Sequence, residues 1–280
     1  MKSMVRRNIK LYFRDKANVF FSMLSIIMII ALFALFLGQG NWGGTDIMNS
    51  WLMAGVLGVA AVTTSLGAFS VMVEDKAGKI TKGFYASPIK RSHIAASYII
   101  SPFVVSVIMT ILTAIAFGIY NVANGVDLPD VAGMLQIVGL VLLSSITATA
   151  MVCFIVSFIK TNSTYGTVSA ILGTLVGFLM GIYMPIGNLP TAIQMVIMLF
   201  PPSHAAMLYR RILMERPLEA AMTAAPEAMD WNALKENLGV VFTFGDLEIA
   251  PVVSIVFLAA FAAVFFGLSV MKLRKGGVNS

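Results

Sequence analysis

Few side chains in this chain are of a type that could carry chemistry. A phosphate-cradling nucleotide loop needs Gly-x-x-x-x-Gly-Lys-Ser/Thr, and the one Gly-Lys pair, Gly78-Lys79, is followed by Ile80. Hydrolysis needs acids, bases or metal ligands that converge. The two histidines, His93 and His204, are expected in loops on opposite faces of a membrane, and the single cysteine, Cys153, falls within an apolar run. Neither an intramolecular disulfide nor a cysteine metal cluster can form. We expect no catalytic residue, no metal site and no cofactor held by this chain. What does stand out is residues 74–93, which mix Glu74, Lys82, Lys90 and Arg91 with Ile80, Phe84, Tyr85 and Ile89. Phe84, Tyr85 and Ile89 can fill a groove on another protein while Lys82, Lys90 and Arg91 meet its polar rim. A solvated basic turn is the plainer alternative.

The elements that position this segment follow from hydropathy. Of the 280 residues 59% are apolar and 11% charged, against about a quarter charged in a soluble domain, and mean hydropathy is +0.90. A hydrocarbon core about 30 Å thick takes roughly 20 helical residues to cross. Six charge-free runs of that order occur, Val19 to Leu37, Trp51 to Val73, Ile94 to Tyr120, Met134 to Ile159, Ser163 to Met184 and Ile249 to Met271. The expected fold is an all-α integral membrane protein of six transmembrane helices. Segment 1–18 carries six Lys and Arg, the 74–93 loop five, Lys160 follows the fourth run and the C-terminus has three, whereas loops 38–50 and 121–133 have none. Basic loops stay cytoplasmic, which places both termini inside, as an even number of spans also requires. The net charge of +6 then reflects topology and attraction to anionic lipid headgroups, with no nucleic-acid partner. The first run is about 19 residues long and lacks a small-x-small exit, so a membrane anchor is expected there instead of a cleavable signal.

Between the runs lie shorter pieces. Residues 4–18 set Val5, Ile9, Tyr12 and Phe13 against Arg6, Arg7, Lys10, Arg14 and Lys16 at helical spacing, which suggests an interfacial amphipathic helix; a basic retention tail is the alternative. In the 74–93 loop Gly78 would precede a short helix and Ser87-Pro88 would end it. Segment 185–248 opens with Pro185 and Pro190, then Thr191 to Phe200 and Pro201-Pro202. Ten helical residues rise about 15 Å, too short to cross, so a re-entrant or outer helical segment is expected there, followed by an acidic extracellular cap. Ser169, Gly173, Gly177 and Gly181 form a small-residue stripe on the fifth span that suits packing within the subunit or across a dimer equally. Ser144, Ser145, Thr147 and Thr149 can bond back to their own helix.

Ion-coupled transporters generally need an ionisable group within the membrane, and the six runs offer none. If the protein pumps, another chain must hydrolyse the ATP. Taken together, the pieces resemble the membrane subunits of ABC-2 type exporters of bacteria. Arg7-Asn8-Ile9-Lys10-Leu11-Tyr12-Phe13-Arg14-Asp15-Lys16 is similar to the family's connecting helix. Glu74, Gly78 and Ser87-Pro88-Ile89-Lys90-Arg91 resemble its glutamate, glycine and proline-x-x-basic pattern, which forms the coupling helix seated on the ATPase. Pro185-Ile186-x-x-Leu189-Pro190 with Pro201-x-x-His204 is similar to its outer segment, while 215–248 is enlarged relative to the commonest form. The resemblance implies a bacterial cell membrane location, cytoplasmic ATP-binding subunits that hold ATP and Mg, and a second permease, identical or a paralogue. A path lined by Met, Phe, Ser and Thr suits an amphipathic drug, an antimicrobial peptide or a lipid-like molecule. A channel or facilitator without an ATPase is the competing class, although an apolar wall is a poor ion path. A sensor or assembly protein is the third.

Overall fold

The computed structural model describes residues 1–17, 19–20, 23–24, 27, 31, 45–227, 229–245 and 247–276. The expected first span, Val19 to Leu37, lies largely outside the described residues. Among the described residues the secondary structure is helical apart from one hairpin of two-residue strands. A 13-residue helix, α1 (Lys2–Arg14), precedes α2 (Thr45–Ala77), a short α3 (Ile80–Ala86), α4 (Arg91–Ala123), α5 (Val131–Ser157) and α6 (Asn162–Leu179). A 3-10 turn, Ile186–Asn188, then leads to α7 (Thr191–Leu199), α8 (Pro201–Leu213), α9 (Glu215–Ala224) and α10 (Trp231–Asn237). Strands β1 (Thr243–Phe244) and β2 (Leu247–Glu248) precede α11 (Pro251–Gly276).

Four described helices, α2, α4, α5 and α11, are long and apolar enough to cross a membrane. The fifth expected span is shorter than its sequence suggested. At 18 residues α6 rises only about 27 Å, and it stops before Met184 because Gly181 turns into the left-handed region at φ 63° and Ile182 N–H closes back on the Gly177 carbonyl at 3.1 Å. The expected short helix after Pro190 is present, and α7 and α8 meet at Phe200-Pro201 with a bend of 93°, the geometry of either a broken span or a re-entrant loop. Proline at the start of α8 costs no intrahelical bond, since first-turn N–H groups have no partner there.

At the centre of the bundle stands α2, packed against α4, α5, α6 and α8. It is apolar all round, so it belongs inside. Its most apolar stretch is 89% buried, against 22% for α11, which lies on the rim with Val252, Val253 and Val256 facing outward. Hydroxyl side chains stitch the helices together. Ser106 donates to the Ala61 carbonyl at 2.9 Å, Ser65 to the Thr149 hydroxyl at 3.4 Å and Thr147 to the Leu258 carbonyl at 3.3 Å, while Ser144 pairs with the Tyr209 hydroxyl at 3.0 Å. As expected, Ser144 and Thr147 also bond back to their own helix, at the Val141 and Leu143 carbonyls at 3.2 and 2.9 Å, so the same hydroxyls serve both their own turn and a neighbouring helix.

Beyond α8, helices α9 and α10 and the hairpin enclose an open cleft of about 520 Å³ bordered by Glu215, Glu219, Glu236 and Glu248 with Arg211 and Lys235. Arg211 and Glu248 approach to 3.5 Å. Arg210, next to Arg211 in the sequence, is completely buried.

Candidate functional site

The segment expected as a loop over 74–93 is mostly helix. The central helix α2 runs a turn past Val73 and carries Glu74, Asp75 and Lys76, and α4 begins at Arg91, leaving α3 between two short links. Gly78 N–H caps the end of α2 on the Glu74 carbonyl at 2.8 Å, and a Cβ at Gly78 would stand 3.2 Å from that oxygen. The reversal itself falls on Lys79, at φ 59°. At the other end Ser87 is extended ahead of Pro88 and donates its hydroxyl to the Phe84 carbonyl at 2.6 Å. Seven residues thus form a short helix held across the base of the bundle.

Around α3 the expected contact residues divide. Glu74, Gly78, Lys82, Pro88 and Arg91 are exposed, with Ile80 46% and Ile89 37% accessible. Phe84 and Ser87 are half-buried. Tyr85 belongs to the last turn of α3. The Phe84 ring lies under the Arg7 guanidinium, whose carbon is 5.2 Å from the ring centroid.

Arg7 belongs to α1, which packs on α4 and α2. The buried face of α1 is Met4, Asn8 and Tyr12, at four-residue spacing, with Lys2, Arg6, Lys10 and Arg14 exposed on the opposite side. Of the apolar residues expected on one face, Tyr12 is buried against the bundle, whereas Val5 and Ile9 are half-buried and Phe13 is 39% exposed. Arg7 is drawn away from the basic face. The cause is Asp75, 3% exposed at the end of α2. Arg7 Nη1 and Nη2 donate to its two carboxylate oxygens at 2.7 and 2.9 Å, and Tyr98 of α4 donates its hydroxyl to Oδ2 at 2.6 Å. A planar guanidinium on a carboxylate is the strong, directional form of ion pair. The hydrogen bond to Asp75 holds Arg7 above its ordinary pKa. One carboxylate therefore joins three helices, and through Phe84 the same arginine touches a fourth.

Neither Asp75 nor Tyr98 was singled out in the sequence. A signal was available, because Ala68, Met72 and Asp75 follow one another at helical spacing and the first two are core residues of α2.

Residues 44–271 match the family model of the ABC-2 family transporter protein. The chain belongs to the ABC-2 transporter family. It is a multi-pass membrane protein, the permease component and not the ATPase. No curated protein matches it.

The remaining residues singled out in this ABC-2 permease are scattered. Along the stripe on α6, Gly173 faces open space, whereas a Cβ at Gly177 would fall 2.5 Å from the Tyr183 ring and one at Gly181 2.7 Å from Ile186. Ser169 is half-buried. The two histidines sit in helices and not in loops. His93 is exposed in the first turn of α4, while His204 of α8 is 4% exposed. Its Nδ1 lies 2.9 Å from the Ser254 hydroxyl and its Nε2 2.8 Å from the Met198 carbonyl. A carbonyl can only accept, so Nε2 carries the proton and Ser254 donates to Nδ1. Both nitrogens are thus committed to tying α8 to α11 and to the end of α7. Among the described residues no group of three or more His, Cys, Asp and Glu could hold a metal ion.

Proposed function

We propose that this ABC-2 permease is the membrane half of an ATP-driven exporter in a bacterial cytoplasmic membrane, with both termini in the cytoplasm and α3 as the helix that receives force from a separate ATP-binding subunit. Its cargo is amphipathic: a drug, an antimicrobial peptide or a lipid-like molecule. Two permease chains, identical or paralogous, pair to form the path, and ATP and Mg are held by the ATPase subunits.

The observation that carries this reading is the brace from Phe84 through Arg7 to Asp75 and Tyr98. A seven-residue helix floating on two links could not push anything. Stacked under Arg7, it shares a contact with the central helix, with α4 and with α1, so displacement of α3 is delivered to the ends of two spanning helices at once. The outward side of the same helix keeps Ile80 and Lys82 exposed, as a docking face requires. An external energy source also fits the buried ionisable groups. Ion coupling needs a group free to take up and release its ion, yet Asp75 is held by Arg7 and Tyr98, and both nitrogens of His204 are engaged.

The test is reconstitution. The permease should co-purify with an ATP-binding subunit and raise its ATPase rate in proteoliposomes. Ion currents or uphill solute accumulation by the permease alone would refute the proposal.

A further inference from the structure

Arg210 sits on α8, the inner arm of the bent pair, and no part of it reaches solvent. Its Nη2 donates to the carbonyl oxygens of Met180 and Gly181, the latter at 3.1 Å, while Nε and Nη1 meet no acceptor. The guanidinium carbon lies 5.4 Å from the Trp51 ring, and Trp51 donates its indole N–H to the Leu238 carbonyl at 2.9 Å. Three glycines leave room for the side chain. A Cβ at Gly239 would stand 2.9 Å from Nη1, and Cβ atoms at Gly181 and Gly55 would stand 3.3 and 3.6 Å from Nη2. Gly181 and Gly239 are both in the left-handed region, at φ 63° and 68°.

A buried cation is expensive unless something answers its charge. Here the answer comes from two weak negative ends, the carbonyls that close α6, where the helix dipole is negative, and the face of an indole. That choice has a mechanical consequence. Helix α6 packs on α2 and leaves Ile171, Leu175 and Phe178 exposed, so its far end has little else to fix it. Along α2, Trp51 and Asp75 are about 36 Å apart, so this contact and the Asp75 brace act at opposite ends of the central helix.

We infer that Arg210 is a positioning residue for transport: it ties the end of α6 to α8 and to α2, so that these three parts move as one body at the face opposite α3. The role in transport rests on the exporter reading. The tie itself does not, and it is tested on the permease alone.

Spin labels at the exposed positions Leu175 of α6 and Arg211 of α8, in a Cys153→Ala background and lipid nanodiscs, report the separation of the two parts. Arg210 chains should give one narrow distance distribution. Arg210→Met should broaden it several-fold in width, and Arg210→Lys should restore it, because an ammonium group can still donate to both carbonyls. Gly181→Ala, which pushes a methyl toward Nη2 and Ile186, should broaden it with the arginine retained. If Arg210→Met fails to yield a folded chain on size exclusion, the Lys and Gly181→Ala variants decide the matter. Unchanged widths in Arg210→Met or Gly181→Ala, or a Lys variant as broad as Met, would overturn the inference. Because no ATPase takes part, failure of the exporter reading leaves this outcome untouched.

Discussion

Arg7 and Asp75, 68 positions apart in the chain, meet as a two-pronged ion pair at the base of the bundle, with the carboxylate almost wholly out of solvent. Removing one member of a buried pair strands the other, which typically costs roughly 3–5 kcal/mol. Arg7 keeps 32% of its side chain exposed, so water relieves part of that loss. Asp75→Ala should therefore destabilise the fold by about 2 kcal/mol in an SDS unfolding titration. Arg7→Ala leaves the buried carboxylate without its cation and should cost more, about 3 kcal/mol, while the double variant should cost less than the sum of the two single changes. Additive losses would mean the two residues do not act as a pair.

Phe84 and Ile80 occupy the same short helix but different surroundings. Phe84→Ala removes a half-buried ring from beneath Arg7 and should lower both stability, by about 1 kcal/mol, and ATPase stimulation in the reconstituted complex. Ile80→Asp and Lys82→Glu alter exposed positions and should leave unfolding within about 0.5 kcal/mol of the parent while weakening the affinity for the ATP-binding subunit. Full ATPase stimulation in the Phe84→Ala and Tyr85→Ala double variant, with normal insertion, would remove α3 from the coupling path.

Two glycines of one stripe should respond differently to a methyl group. At Gly177 the new Cβ overlaps the Tyr183 ring, which packs 4.7 Å from the Phe178 ring centre. Tyr183 must swing away, and the variant should lose about 1 kcal/mol. In a Tyr183→Ala background the same change should cost little. Gly173→Ala meets nothing within 4 Å in the single chain, so its thermal unfolding temperature in detergent should not move. A loss of dimer in cross-linking at Gly173→Leu would place the second permease against that face.

Ser254 holds His204 from across the bundle. Ser254→Ala leaves the Nδ1 lone pair buried without a donor and should cost about 1–2 kcal/mol. Ser254→Thr keeps the hydroxyl and should recover most of it. Equal losses for both would show that volume, and not the hydrogen bond, matters there.

Several elements were legible from composition alone. Helices α2, α4, α5 and α11 had to exist because only a helix satisfies every backbone group over so long an apolar run. The short helix between α2 and α4 followed from Gly78 and Pro88, and the short α7 with the break after it from Pro190 and Pro201. Hydropathy could not show that α6 stops at Gly181, since every residue up to Met184 is apolar and the stop depends on a backbone dihedral.

Charge placement is where sequence and structure part. The sequence by itself determined that this is a polytopic membrane protein with most of its charges outside its long apolar runs and a basic, aromatic-bearing segment between α2 and α4. Only the tertiary structure decided that Arg7 turns inward to Asp75 and that Arg210 is buried among Trp51, Gly181 and Gly239. The physical reason is that exclusion from lipid acts on each residue singly and can be summed along the chain, whereas the burial of a charge depends on partners that folding brings from distant positions.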